Sequence, residues 1–180
     1  TAALEHFARS VLAAGADALV VHARKAVLGG LSPHENRTVP PLRYDAVAQL
    51  RAALGSVPVV VNGGLRTCEE VLSALDRFDG VMIGREAYHR PQLLGELQAA
   101  LYPADPPSPG PVAVLEAMRE YALRETAGGT PLHAITRHML GLLNGRPGAK
   151  ALRHTLSADV QRGASVAEIF NRARELACNA

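Results

Sequence analysis

The sequence predicts an α/β fold: the C-terminal part of a (β/α)8 TIM barrel, followed by a small all-α helical domain. Three observations carry this. Three short apolar runs, Ala18–Val21, Val57–Val61 and Val81–Ile83, alternate with segments of helical periodicity. Each run is nearly continuous in apolar residues, as expected of strands buried on both faces of a parallel sheet. A proline-rich stretch then ends the alternation, and no strand pattern follows it.

Taken in order, residues 4 to 14 place Leu4, Phe7, Ala8, Val11 and Leu12 on one helical face. The first strand runs into His22, Ala23 and Arg24. A long insertion, Lys25 to Pro41, follows, and within it Ser32-Pro-His-Glu35 has the form of a capping box with proline at the first helical position, so a short helical turn is expected. From Arg43 to Leu54 the residues Ala46, Val47, Leu50 and Leu54 form a stripe for the sheet. The second strand ends at Asn62-Gly63-Gly64, and Thr67-Cys-Glu-Glu70 starts the next helix with another capping box. The third strand ends at Gly84-Arg85. Repeated βα units imply parallel strands joined by right-handed crossovers. Three strands cannot close a barrel and would leave both sheet edges open, so the remaining strands are expected in sequence outside these residues. The opening Thr1-Ala-Ala-Leu-Glu5, with neither an initiator Met nor a signal pattern, fits that expectation.

Tyr102 to Pro111 holds five of the twelve prolines and is expected to be a stiff linker. The expected organisation is thus residues 1–102 as barrel, 103–111 as linker and 112–180 as helical domain. In the last, four helical stretches (112–126, 131–143, 149–162 and 165–178) are separated by glycine-containing punctuation and form a small bundle.

Composition narrows the function. No apolar run nears the roughly 18 residues needed to cross a bilayer. Two cysteines, Cys68 and Cys178, without metal-like spacing suit a reducing cytoplasm. His133 and His138 lie five apart, off the spacing of helical metal ligands, so no metal is expected. The net charge of +2 names no partner. Its distribution says more: Pro131 to Gly163 carries five Lys or Arg against Asp159 alone, a surface able to meet phosphates.

In a (β/α)8 barrel the loops after the strands carry function, and a phosphate site often follows the last two. The Asn62-Gly63-Gly64 and Gly84-Arg85 turns follow consecutive strands and suit it. Glycines bring backbone N–H groups close to an anion, the following helix starts add positive ends, and Arg85 can add a charge-assisted pair of hydrogen bonds. His22, at the end of the first strand, could hydrogen-bond to or pack on a planar cofactor. Neither cysteine has a base nearby in sequence that would mark it as a nucleophile.

Together, several blocks look like one family. They are Val21-His-Ala-Arg-Lys-Ala26, Gly30 to Arg37, Pro40-Pro-Leu42, Asn62-Gly-Gly64 and Asp79 to Tyr88. Thr136 to Leu142 and Gly145 to Lys150 continue the series. In order and spacing the chain resembles A-type tRNA-dihydrouridine synthase over nearly its whole length. The resemblance implies an FMN-bearing barrel with a helical tRNA-recognition domain. In that family NADPH reduces FMN, which delivers hydride to C6 of a D-loop uridine at tRNA positions 20 and 20a, while a cysteine acid protonates C5. The base must leave its stack to reach the flavin.

Carried onto these residues, the resemblance makes His22 a flavin contact. Asn62, Gly63, Gly64, Gly84 and Arg85 become the cradle for FMN phosphate and ribose. The 35–37 loop would lie over the uridine, with His34 and Arg37 as substrate contacts. Lys150, Arg153 and His154 share a helix face by their spacing and would track the tRNA backbone. The family's catalytic cysteine, in an Asn-x-Gly-Cys-Pro-like motif, has no match here, nor do its flavin-contacting lysine and its Met-Thr loop. No catalytic residue is therefore expected in this chain, which would be inactive alone. The expected partner is tRNA, bound by a monomer, with no membrane. Two alternatives stay open: a non-catalytic RNA-binding fragment, and another FMN-dependent TIM-barrel pyrimidine oxidoreductase. The basic helical domain argues against the second.

Overall fold

The structure, a computed structural model, describes residues 2–180. It divides into two compact units, one ending at Gly84 and the other running from Arg85 to Ala180.

The first unit is built on a three-stranded parallel sheet in the order β1-β2-β3, with β1 Leu19–His22, β2 Val59–Asn62 and β3 Gly80–Met82. Register pairs Leu19 with Val59 and His22 with Asn62, and then Asn62 with Met82. Helix α1 (Ala2–Ala13) leads into β1, α3 (Tyr44–Leu54) and α4 (Cys68–Leu75) supply the crossovers, and α2 (Pro33–Asn36) is the expected turn inside the insertion. On one face Val59 and Val61 are fully buried, together with Val47 and Leu50 of α3 and Val71 of α4.

The other face differs from the expectation of strands buried on both sides. Val20 is 58% exposed and Met82 47%, and β1 alternates between partly buried and exposed residues. Period-two alternation along a strand puts Val20 and His22 on one face, and register adds Val60, Asn62 and Met82 to it. The valine runs therefore report strand propensity, while only one sheet face carries the helical layer.

Both anticipated capping boxes form. The Ser32 hydroxyl accepts from Glu35 N at 3.2 Å, and Thr67 Oγ1 from Glu70 N at 3.1 Å. A third joins Ser165 to Glu168 at the start of the last helix, legible in Ser165-Val-Ala-Glu168 but not anticipated. The Asp79 carboxylate accepts two hydrogen bonds from the Arg51 guanidinium and one from Val59 N, tying α3 to β2 and the lead into β3. The Arg51 hydrogen bonds, then that of Val59, hold the Asp79 carboxyl down at about 2.

The second unit contains α5 (Arg85–His89), α6 (Gln92–Leu101), α7 (Pro111–Ala127), α8 (Leu132–Thr136), α9 (Ala149–His154) and α10 (Val166–Cys178). The stretch expected as one helix over 131–143 is helical only through Thr136. It continues as hydrogen-bonded turns, such as Met139 N to Thr136 O and Leu142 N to Met139 O, up to the left-handed glycines Gly145 and Gly148. Helix α9 runs on into a π-helical turn, Thr155–Asp159. The core is Leu115 and Ala122 of α7, Leu143, Leu152 and Leu156, and Ile169, Phe170 and Ala173 of α10. Truncating Phe170, 2% exposed, to alanine would cost about 3–5 kcal/mol. The proline-rich segment lies in this second unit and packs on α6, where Gln98 donates to Pro106 O at 3.0 Å.

Candidate functional site: a glycine turn beyond the sheet and an open cationic face

Beyond β2 the backbone turns sharply through Gly63 (φ 111°) and Gly64 (φ 80°), a region that L-residues rarely enter. Both glycines are hemmed in. A Cβ on Gly63 would lie 3.0 Å from the His22 ring, and one on Gly64 would collide with the Leu42 side chain and reach Tyr44 Oη at 3.1 Å. The Tyr44 hydroxyl donates to Gly63 O at 2.6 Å. Its ring is half-buried and tilted against Phe78, with centroids 6.5 Å apart, and burial, reinforced by Glu70, pushes the phenol pKa up. The turn is thus backed by His22, Leu42 and Tyr44 and presents backbone rather than side chains. That arrangement suits a ligand phosphate, because N–H groups can approach it without a Cβ intervening.

The contribution expected from the helix start after this turn is altered. Glu70 accepts from Arg66 N at 2.6 Å and Thr67 N at 3.2 Å, so the α4 N-terminus already holds its own carboxylate. The glycine backbone is what this turn itself offers an anion.

At the end of β1, His22 Nδ1 accepts from Arg24 N at 3.1 Å. In a neutral ring this places the proton on Nε2 as a donor. Arg24 also donates to Pro40 O, Arg43 N to Ala23 O at 2.7 Å, and Arg24 bridges Leu42, so the insertion is pinned at its base beside β1. Within it, Asn36 is a brace: its amide accepts from Val27 N at 2.7 Å and donates to Val27 O at 2.9 Å. Glu35 is consumed by its capping box, and hydrogen bonds from Ser32 lower its carboxyl pKa. His34 and Arg37 are left exposed on this short helical turn.

Gly84 ends the first unit with an open surround and no positive φ, unlike the β2 turn, and Arg85 opens the five-residue α5. In the second unit Lys150 and Arg153 are exposed on α9, with His154 3.3 Å from Asp159. Cys68 is partly buried at the first turn of α4, and Cys178 is exposed at the end of α10. No helix among the described residues is long and apolar enough to cross a membrane.

Sequence reasoning missed Tyr44 and Leu42 as the backing of the glycine turn. It also missed the Tyr88 hydroxyl pairing with His138 Nδ1 at 2.8 Å. Only the Pro-Leu-Arg-Tyr run beside the helix start hinted at the first. Nothing in sequence signalled the second, which joins residues 50 apart.

The first unit thus carries a strand-end glycine turn backed by an imidazole, and the second carries exposed Lys150 and Arg153 on α9. The dihydrouridine synthase family model matches residues 1–176, and the chain belongs to that family. Relatives named tRNA-dihydrouridine(20/20a) synthase are similar over most of this chain. The Pseudomonas putida protein is 44% identical over 175 residues, covering 97% of this chain and 52% of the relative. That of Pseudomonas syringae pv. tomato is 47% identical over 156 residues, covering 87% and 46%. That of Escherichia coli K12 is 42% identical over 157 residues, again covering 87% and 46%. The chain spans about half the length of the curated relatives it matches.

Proposed function

We propose that this chain is the flavin-phosphate and tRNA-holding part of a tRNA-dihydrouridine synthase. The enzyme would reduce D-loop uridines at positions 20 and 20a in cytoplasmic tRNA, with NADPH as reductant and one protein monomer per tRNA. The observation that carries this is the Gly63-Gly64 turn, where Leu42, Tyr44 and His22 occupy the space a side chain would need. The names of the relatives supply the reaction.

FMN, when bound, supplies the hydride for C6 of the uracil ring. The chain's own residues bind and orient. Asn62, Gly63 and Gly64 offer backbone and amide groups to phosphate and ribose, and Gly84 and Arg85, directly after β3, are assigned to the same cofactor by chain position. His22, whose Nδ1 accepts from Arg24 N, is assigned to the flavin ring. His34 and Arg37, exposed on the insertion, are assigned to the uridine, and Lys150 and Arg153 to the tRNA backbone. The exposed sheet face of Val20, Val60 and Met82 suits the interior of a closed (β/α)8 barrel, with residues 1–102 as its closing part, 103–111 as linker and 112–180 as the tRNA-recognition domain. We assign the acid that protonates C5 to neither cysteine of this chain.

The test loads the complete protein that carries this chain with FMN and incubates it with NADPH and unmodified tRNA. Mass spectrometry should find dihydrouridine at positions 20 and 20a. Bound flavin and bound tRNA without any dihydrouridine would refute the catalytic reading and favour an RNA-binding role.

A further inference from the structure

Apart from Arg85 at the start of α5, the Lys and Arg residues of the second unit fall into two sets. Arg90, Arg119, Arg124, Arg162, Arg172 and Arg174 each lie within 4 Å of a carboxylate, from 2.9 Å for Arg119–Glu120 to 3.9 Å for Arg174–Glu116. Among the described residues, Arg137, Arg146, Lys150 and Arg153 have no acidic partner within that distance. Two of these, Arg137 and Arg153, line one cavity of about 300 Å³ with Tyr88, His89, Leu140 and Asn144. The lining contains no carboxylate, and the volume is at the small-ligand end of natural pockets.

The wall of this cavity is fixed. The Tyr88 ring lies edge-on to the His138 ring (centroids 6.0 Å, interplanar angle 80°) and to His89 (5.9 Å, 63°), and its hydroxyl is held by His138. Gly141 also lines the cavity, and a Cβ there would collide with the His89 carbonyl oxygen, so the end of α5 is seated directly against the 137–144 turns. Tyr88 nevertheless remains 52% exposed. A rigid, half-exposed aromatic ring beside a leucine and two uncompensated guanidinium groups combines a stacking surface with phosphate donors, the two elements of a single-nucleotide RNA contact.

We infer that the cavity between α5 and the 137–153 segment is a nucleotide-binding pocket. It takes one base of the bound tRNA against Tyr88 and Leu140, with the adjoining phosphates on Arg137 and Arg153. This rests on the proposed tRNA-binding role and adds a base contact to what would otherwise be a backbone grip. Asn144 provides the pocket's amide for a base edge.

Salt dependence separates base from phosphate contacts. Tyr88→Ala should weaken tRNA binding by about tenfold while leaving the slope of log affinity against log salt unchanged. Tyr88→Phe, which keeps the ring, should bind like wild type. Arg137→Ala should weaken binding and flatten the slope by about one. Asn144→Ala, at an exposed position, serves should the tyrosine variant fold poorly, and should lose affinity at constant slope. If Tyr88→Ala and Asn144→Ala both bind as wild type, or shift the slope as Arg137→Ala does, there is no base pocket. The assay reads binding alone. Wild-type protein that binds tRNA through this pocket yet makes no dihydrouridine would sink the catalytic reading and leave the pocket standing.

Discussion

The glycine turn after β2 and the open face of the helical unit are both suited to anions, but they offer different atoms. The turn offers backbone, shaped by two positive-φ glycines with His22, Leu42 and Tyr44 behind them. The nearby Glu70 carboxylate is spent on capping α4. The helical unit offers side chains: Arg137, Lys150 and Arg153 stand without acidic partners, while the arginines of α7 and α10 are paired. Backbone recognition is fixed by steric shape and tolerates salt. Side-chain recognition is fixed by charge and is screened by it. The first should fail when a methyl group is added, and the second when a charge is removed.

The largest effect is expected at the turn. Gly64→Ala forces an L-residue to φ 80° and drives its Cβ into Leu42. The left-handed conformation alone costs roughly 1–2 kcal/mol, and overpacking adds about 1–3 kcal/mol. Flavin retention should fall at least tenfold, measured as FMN per polypeptide after desalting. Next comes the charge side. Lys150→Ala with Arg153→Ala should lower tRNA affinity and reduce the salt slope by roughly two, whereas Arg119→Ala, whose guanidinium faces Glu120, should leave both unchanged. An equal loss in the Arg119 variant would erase the distinction between paired and open cations.

A smaller change is expected at Tyr44→Phe, which keeps the ring on Phe78 and removes one hydrogen bond to Gly63 O. With about 1 kcal/mol at stake, FMN affinity should drop a few-fold without loss of fold. The smallest effect concerns stability alone. Because the folded-state pKa of Asp79 is depressed to about 2, its contribution is present above the unfolded value of about 4 and is lost as pH falls through the folded one. Asp79→Asn should therefore lower the melting temperature by a few degrees at neutral pH and show a shallower decline between those limits.

How far the sequence revealed this varied by region for physical reasons. The helices of the first unit and two capping boxes were legible because they depend on local spacing, as at Thr67 and Glu70. The parallel strands were legible from apolar runs, but the exposure of Val20 and Met82 was not, since burial depends on what covers a face. The 131–143 segment has helical periodicity in Leu132, Ile135, Met139 and Leu142, yet turns prevail after Thr136. All four are buried or partly buried against the bundle core, so packing into that core, rather than local propensity, holds this segment. The glycine turn could be read from Asn62-Gly63-Gly64, whereas its backing by Tyr44 and Leu42 needed a long-range contact. That Asn36 braces the insertion through Val27 could not be read from the sequence, because the two residues meet only in the folded loop.

The central claim is that cofactor retention depends on the backbone of the glycine turn, and RNA binding on open cationic side chains. It is tested most directly by measuring FMN content in Gly64→Val and in the Lys150→Ala/Arg153→Ala pair, each prepared as the complete protein and each checked for tRNA affinity. The glycine variant should lose FMN but still bind tRNA, and the paired variant should keep FMN but bind tRNA weakly. Full flavin content in folded, tRNA-binding Gly64→Val protein would contradict it.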